Sequence, residues 1–167
     1  KKRNAEAHNV VTDAVRGVTK TLNSNQTVAE VDDTYGVTAF GSDGFTVREQ
    51  ASAGGQTNTG TLVSWNWKAN GSGSANTDGA TNTTATSTNT TAGFSIMNVV
   101  GTGSSTTYGH GLGVVPKVYI VKLTSGTGSW YVQTSALDGG WDYMVLNTDA
   151  PSASMTATAP TSSVITG

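Results

Sequence analysis

The fold is decided by residues 93–122, GFSIMNVVGTGSSTTYGHGLGVVPKVYIVK, which predict two strands joined by a shaped loop. Apolar side chains recur with period two, at Phe94 and Ile96 in the first strand and at Val118 and Ile120 in the second. The opposite faces carry the apolar residues Met97, Val99, Tyr119 and Val121. Two apolar faces are typical of a strand inside a sandwich.

The loop between these strands is rich in glycine and ends at a proline. Its glycines are Gly101, Gly103, Gly109, Gly111 and Gly113, and Pro116 precedes the second strand. Glycine lets the backbone reach positive φ or pass close to a neighbour, whereas proline fixes φ. We therefore expect a loop with a defined backbone path.

The composition of the 167-residue chain indicates an extended, all-β protein. Hydrophobic residues make up 35% of the sequence, which is enough to bury a core. Thr, Ser, Gly and Asn together form nearly half of it, whereas helix formers such as Glu, Lys and Leu are scarce. Such a composition is typical of extracellular or virion proteins.

Several classes of function are disfavoured by the same composition. Only 12% of the residues are charged, the net charge is -2 and no basic stripe occurs, so nucleic acid is not an expected partner. The sequence has no cysteine for disulfides or thiolate metal sites. It also has no apolar run of 18 residues, and we expect no membrane insertion.

Further strands are predicted on both sides of the central stretch. The N-terminal half predicts strands at 9–17, 19–23, 36–40, 44–47 and 61–69, with a loop of small residues over 51–60. The C-terminal part predicts strands at 130–136, 141–146 and 163–166. The 36–40 and 44–47 strands flank Gly41-Ser42-Asp43, which is the chemistry of a tight hairpin turn.

The segment 61–69, TLVSWNWKA, alternates strictly and puts Val63, Trp65 and Trp67 on one face. Two interpretations follow from this shared face. The favoured one makes the tryptophans core residues. The alternative makes them a stacking platform for sugars.

An internal repeat accompanies these strands. DAVRG at 13–17 resembles SALDG at 135–139, and TKTLN at 19–23 resembles YMVLN at 143–147. We therefore expect 10–23 and 132–147 to form the same pair of strands. The residues that differ between the copies include Asp13 and Arg16.

The repeat leads to a division of the chain into three parts. The polar segment 70–92 has no large apolar side chain and predicts a linker, with a thin Thr-rich strand near 80–87. Residues 1–69 would be the C-terminal part of a first β-sandwich repeat, and 93–167 a second, nearly complete one. The predicted fold is thus an antiparallel β-sandwich with a partial tandem repeat.

Four residues are candidates for surface contact: His110, Trp130, Tyr131 and Trp141. His110 could bind a ligand or fix its glycine-rich loop by hydrogen bonds, and the second interpretation is favoured. Trp130 and Tyr131 point to opposite faces of their strand, so one of them should be exposed. Trp141 follows two glycines and is the aromatic residue most expected at the surface.

Catalytic and metal sites are not predicted. With two histidines, no cysteine and three glutamates, neither a histidine-rich metal site nor a Ser-His-Asp triad is readily assembled. Calcium could bind at Asp32 and Asp33 or at Asp138 and Asp142, but neither pair has the D-x-[DN]-x-[DN]-G spacing, and solvated turns are favoured. We expect no enzymatic activity, no metal and no cofactor.

A resemblance to a known family covers nearly the whole chain. Its segments are DAVRG (13–17), GSDGFTV (41–47), VSWNWKANG (63–71), GTGSSTTYGHGLGVVPKVYIVK (101–122), TSALDGG (134–140), LNT (146–148) and TAPTSSVI (158–165). The most specific elements are H-x-L-G-x-x-P from His110 to Pro116 and W-x-W-K-A from Trp65 to Ala69. With them the chain resembles repetitive tail-fibre or adsorption-type virion proteins of tailed bacteriophages, whose fold is, by analogy, a concanavalin-like or lectin-like jelly roll.

This resemblance implies a structural module of a phage particle, part of a tail fibre or appendage, that attaches to the host surface. The expected partners are other virion proteins, further copies of the chain and host surface polysaccharide. The expected location is the extracellular particle, assembled in the host cytoplasm. An alternative is a purely architectural protein that decorates the capsid or connects particle proteins, and a third is a carbohydrate-active enzyme, which would need a close carboxylate pair.

Overall fold

The computed structural model describes residues 1, 3, 7–48 and 61–167, and throughout these residues the chain is all-β. This confirms the predicted fold class, an all-β and sandwich-like fold, since the strands form several antiparallel sheets. The strands in chain order are β1 (Val10–Asp13), β2 (Gly17–Asn23), β3 (Val31–Asp32), β4 (Val37–Phe40), β5 (Phe45–Val47), β6 (Ala85–Asn89), β7 (Phe94–Asn98), β8 (Thr107–Gly109), β9 (Val118–Lys122), β10 (Trp130–Thr134), β11 (Asp142–Val145), β12 (Ala153–Ser154) and β13 (Val164–Thr166). No helix long and apolar enough to cross a membrane occurs in this described part of the chain. The predicted loop over 51–60 lies outside the described residues.

The chain divides into two compact units, each built from three separate segments. Unit 1 comprises Lys1–Trp65, Ile120–Val132 and Met144–Ser152, and unit 2 comprises Asn66–Tyr119, Gln133–Tyr143 and Ala153–Gly167. This division differs from the predicted boundaries at 69 and 93. The periodicity of the sequence identifies neighbouring strands along the chain, but not segments that return from a distance.

Unit 1 contains a three-stranded sheet of order β1-β2-β3 and the hairpin β4-β5. In the sheet Val11 pairs with Leu22, and in the hairpin Phe40 pairs with Phe45. The Gly41 N–H donates to the Gly44 carbonyl over 2.7 Å and closes the turn between the two strands. The predicted hairpin about Gly41-Ser42-Asp43 is therefore confirmed.

The buried centre of unit 1 includes Leu22 and Trp130. The Trp130 indole N–H donates to the Asn23 carbonyl over 2.9 Å, and the Trp130 main-chain N–H donates to Asn147 Oδ1 over 2.8 Å. A buried indole needs such a partner for its N–H. These bonds attach the end of β2 and the turn after β11 to the same residue, Trp130.

Arg16 forms a mostly buried ion-pair network in unit 1. Its Nε lies 2.6 Å from Asp13 Oδ2, its Nη1 lies 2.9 Å from Glu30 Oε2, and its Nη2 donates to the Val11 carbonyl. Three donors of the planar guanidinium are thus satisfied in one place. Asp13 and Arg16, which differ between the two sequence repeats, therefore stabilise the β1–β2 turn.

Unit 2 has a polar interior around the hairpin β6–β7, in which Ser87 pairs with Ile96. Ser87 is 1% exposed and its Oγ accepts a hydrogen bond from the Asn70 N–H, while Thr83 Oγ1 accepts one from the Asn76 N–H. The segment 70–92 is consequently a folded part of unit 2 and not a linker. Its predicted strand is present, shifted to Ala85–Asn89.

The glycine-rich loop of the central stretch contains an additional short strand, β8, which pairs with β13 and aligns Tyr108 with Ile165. Both of these side chains are buried. Gly111 and Gly113 adopt positive φ, and a Cβ on Gly109 would lie 1.7 Å from Asn76 Oδ1. The predicted roles of these glycines, positive φ and close approach, are confirmed.

A four-stranded sheet has the order β12-β11-β10-β9, so β9 is an edge strand. Both predicted strands of the central stretch are present, as β7 and β9. However, β9 exposes 51% of Val118, 55% of Ile120 and 43% of Val121, and the interior position predicted for it is wrong.

The two repeat copies are both extended in the structure. Residues 10–23 hold β1 and β2, and 132–147 hold most of β10 together with β11. In each case the two strands are neighbours in a sheet. Their structural equivalence remains a prediction.

Candidate functional site: an exposed aromatic pair on unit 2

The tryptophan segment 61–69 is not a core strand. Apart from one isolated bridge at Leu62 it has no strand structure, and Trp65 is 80% and Trp67 65% exposed. The prediction that these residues lie in the core is therefore wrong. Strict alternation predicted that they share one face of a strand, but the segment forms no strand.

Trp67 stacks on Phe94, and this pair is the candidate functional site. The ring centroids are 6.1 Å apart and the ring planes meet at 21°. Phe94 begins β7 and pairs across the hairpin with Asn89. One indole face is therefore held by a strand residue, while most of the side chain remains open to solvent.

Hydrogen bonds attach the residues after Trp67 to the same hairpin. The Asn89 carboxamide donates to the Lys68 carbonyl over 3.2 Å, and the Asn70 N–H donates to Ser87 Oγ over 2.8 Å. Ser87 is among the most buried side chains described. The segment that carries the exposed indole is thus held in place by the β6–β7 hairpin. This reduces the conformational entropy lost when a ligand binds.

The chemistry offered by this surface is that of a flat apolar face with a polar surround. An indole face can pack against the C–H face of a sugar ring, whose hydroxyl groups then point toward water or neighbouring polar groups. The exposed ammonium of Lys68 follows Trp67 directly and adds a positive charge for acidic substituents. Sequence reasoning did not identify Phe94 as the partner of Trp67, because the two lie far apart along the chain.

His110 is not at the surface, since only 2% of it is exposed. Its Nδ1 accepts a hydrogen bond from the Leu112 N–H over 3.1 Å, so the proton lies on Nε2, which donates to the Thr161 carbonyl over 3.2 Å. The His110 carbonyl accepts bonds from the hydroxyls of Thr88 and Ser95. His110 therefore fixes its loop, as the favoured interpretation predicted, and cannot serve as a surface contact.

The adjacent residues Trp130 and Tyr131 point in opposite directions, as predicted. Trp130 is 6% exposed and belongs to the interior of unit 1, so it is not a surface residue. Tyr131 is 43% exposed. Of this pair, only Tyr131 remains a candidate for surface contact.

Trp141 is half-buried and packs inside unit 2. Its ring lies 5.6 Å from the ring of Tyr119 at an angle of 47°. The Tyr119 hydroxyl donates to Gln133 Oε1 and also approaches Met155 Sδ at 3.5 Å. Burial raises the pKa of the Tyr119 hydroxyl above its ordinary value. The Trp141 ring therefore supports an aromatic cluster and is less available to a ligand than the ring of Trp67.

Three of the four residues in the predicted acidic pairs lie in turns or surface contacts. Asp33 Oδ1 accepts from the Tyr35 N–H, and Asp138 Oδ1 accepts from the Gly140 N–H. Asp32 lies 2.6 Å from Lys20 Nζ, and the hydrogen bond from Lys20 lowers the pKa of Asp32. Asp142 is buried. No group of three or more His, Cys, Asp or Glu residues suited to a metal occurs within the described ranges.

Comparison with models of protein families identifies a match. The family model described as "Domain of unknown function (DUF7483)" matches residues 1–167, which is the whole chain. No curated protein and no solved structure matches it.

Proposed function

We propose that this chain, which belongs to the DUF7483 family, is a structural module of a bacteriophage particle that attaches to polysaccharide on the host surface. The phage context comes from the resemblance to tail-fibre and adsorption proteins. Attachment is carried by one observation, the 65% exposure of a Trp67 ring that is stacked on Phe94. In the particle the module would contact other virion proteins and further copies of itself.

The exposed indole supports this proposal because such exposure has an energetic cost. Large aromatic side chains contribute more than other residues to cores and interfaces, and an exposed one forgoes that contribution unless a ligand covers it. The hydrogen bonds from Asn89 and to Ser87 hold the segment in place without burying the ring. A ring held in this way is a preformed contact for a sugar.

Replacement of Trp67 by alanine tests the proposal. We expect Trp67→Ala to weaken binding to host cells and to immobilised bacterial surface polysaccharides by about tenfold, equivalent to about 1.4 kcal/mol. The melting temperature should change little because the ring is mostly exposed. Leu137→Ala is a matched control, since Leu137 lies in the same unit and is 52% exposed; its binding should equal that of the unmodified chain.

The architectural alternative predicts a different result. It is favoured by the exposed valine and isoleucine side chains of β9, which suit contact with another protein of the particle. On that alternative the purified chain binds no cell or polysaccharide, and Trp67→Ala changes nothing. Equal polysaccharide binding by Trp67→Ala and the unmodified chain would also reject the aromatic surface as the attachment site.

A further inference from the structure

Unit 1 contains an open cleft of about 510 Å³ that is lined mostly by polar residues. Its polar lining residues are Asn9, Ser24, Asn25, Asn147, Thr148 and Asp149. Leu146, which is 51% exposed, adds an apolar patch. Amide, hydroxyl and carboxylate groups beside one apolar side chain match the mixed surface of a sugar ring.

Asn9 has a buried carboxamide oxygen that lacks a hydrogen-bond partner. Its main-chain groups are both used, because its N–H donates to Asn25 Oδ1 over 2.9 Å and its carbonyl accepts from the Ser24 N–H over 2.9 Å. A buried acceptor without a donor destabilises the folded state. Rotation of the Asn9 carboxamide toward the cleft would let a ligand hydroxyl supply the missing donor.

The rest of the cleft wall is held in place by hydrogen bonds. Asn147 Oδ1 accepts from the Trp130 N–H over 2.8 Å, and the Asn25 carboxamide nitrogen lies 3.2 Å from His8 Nδ1. Thr148 is fixed by a bond from its N–H to the Val145 carbonyl. Most of the cleft wall is therefore preformed. Among its residues, Asn9 gains most from a ligand, because a ligand hydroxyl would supply the hydrogen bond that its carboxamide oxygen lacks.

We propose that this cleft binds a neutral pyranose, with one sugar hydroxyl donating to Asn9 Oδ1, a second donating to the Asp149 carboxylate, and a C–H face against Leu146. A divalent cation fits less well, because the lining holds a single carboxylate and calcium affinity depends on the number of charged ligands. This proposal specifies a ligand class within the proposed attachment function. It does not depend on Trp67, because the cleft residues belong to unit 1 whereas Trp67 and Phe94 belong to unit 2.

The test is a titration of the full chain with three probes: methyl α-mannopyranoside, methyl β-galactopyranoside and N-acetylglucosamine. The readout is the NMR chemical shift of the side-chain amides of Asn9, Asn25 and Asn147. We expect at least one probe to shift these signals, and Asn9→Ala to bind it about tenfold more weakly, as expected for loss of one good hydrogen bond.

Thr12→Val is the matched control, because Thr12 Oγ1 is also a buried, unpaired oxygen of unit 1 but does not line the cleft. It should bind the probe normally. Asp149→Ala tests the same cleft at an exposed residue, whose replacement should not disturb folding. We again expect weaker binding of the sugar probe. Trp67→Ala should leave the amide shifts unchanged, which separates this site from the aromatic surface.

Three results would overturn the proposal. One is the absence of amide shifts with all three sugars. Another is equal affinity in Asn9→Ala, Asp149→Ala and the unmodified chain. The third is a response to calcium chloride alone, which would make the cleft a cation site.

Discussion

Single polar side chains take interior positions that apolar residues usually occupy. Ser87, Thr83 and Thr134 are each at most 4% exposed, and each has a hydrogen-bond partner. Thr134 Oγ1, for example, donates to the Lys117 carbonyl over 3.0 Å. Buried polar groups are tolerated when they are paired in this way. A Thr- and Ser-rich sequence can therefore form a fixed interior.

Tyr119 should make the stability of the protein decrease at alkaline pH. Burial raises its folded-state pKa above the unfolded value of about 10, so its contribution is complete below pH 10. That contribution is lost as the pH rises through the folded-state pKa, because only the neutral hydroxyl is favoured in the fold. Thermal melts across this range, repeated with Tyr119→Phe, measure the effect. A variant with the same alkaline loss as the unmodified chain would contradict the assignment to Tyr119.

At the scale of elements, Gly79 lets its own backbone lie close to the backbone of strand β8. A Cβ on Gly79 would lie 2.3 Å from the Thr107 carbonyl oxygen, which also accepts a hydrogen bond from the Thr81 N–H. We expect Gly79→Ala to lower the free energy of unfolding by about 1–3 kcal/mol, the usual cost of overpacking. Chemical denaturation measures this change.

Gly101→Ala is the control for that substitution. Nothing lies within 4 Å of a Cβ built on Gly101, and its φ is not in the left-handed region. Its effect should stay within about 0.5 kcal/mol, as for most surface substitutions. Equal destabilisation by the two variants would show that the contact with Thr107 is not responsible.

Elements that a short sequence pattern specifies could be predicted from the sequence. The β4–β5 hairpin follows from the turn at Gly41-Ser42-Asp43, and β7 and β9 follow from period-two alternation. The helix-poor composition likewise indicated an all-β chain. The short strand β8 was missed because its three residues lie within a glycine-rich loop that carries no alternation of its own.

The candidate site could be predicted only in part. Alternation predicted that Trp65 and Trp67 share one face of a strand, but whether the segment becomes a core strand depends on contacts between distant segments. The polar interior around Ser87 was missed for a related reason. The pattern of hydrophobic residues does not reveal a core that is held together by hydroxyl and amide hydrogen bonds. The sequence of 70–92 therefore resembled that of a linker.

At the scale of the whole molecule, the edge strand β9 predicts association between copies. An edge strand presents unpaired N–H and C=O groups, and β9 adds exposed apolar side chains at Val118, Ile120 and Val121. We expect sedimentation at micromolar concentration to give a mass above that of the 17.0 kDa chain. Ile120→Lys should favour the monomer while the fold is retained.

Val100→Lys is the control for the association test, because Val100 is 71% exposed and lies outside β9. It should sediment as the unmodified chain does. A monomer at every concentration, with one cooperative melt, would contradict the predicted association and leave the exposed face of β9 without a partner copy.

The hydroxyl-lined interior of unit 2 also affects how the protein responds to temperature. Exposure of apolar surface raises the heat capacity on unfolding, whereas exposure of polar surface lowers it. Opening the region around Thr83 and Ser87 exposes hydroxyl groups in place of much of the hydrocarbon that an apolar core would release. We therefore expect the stability curve of this unit to be flatter than that of a domain with an apolar core. Cooling should weaken the unit less, because less of its stability depends on the hydrophobic effect.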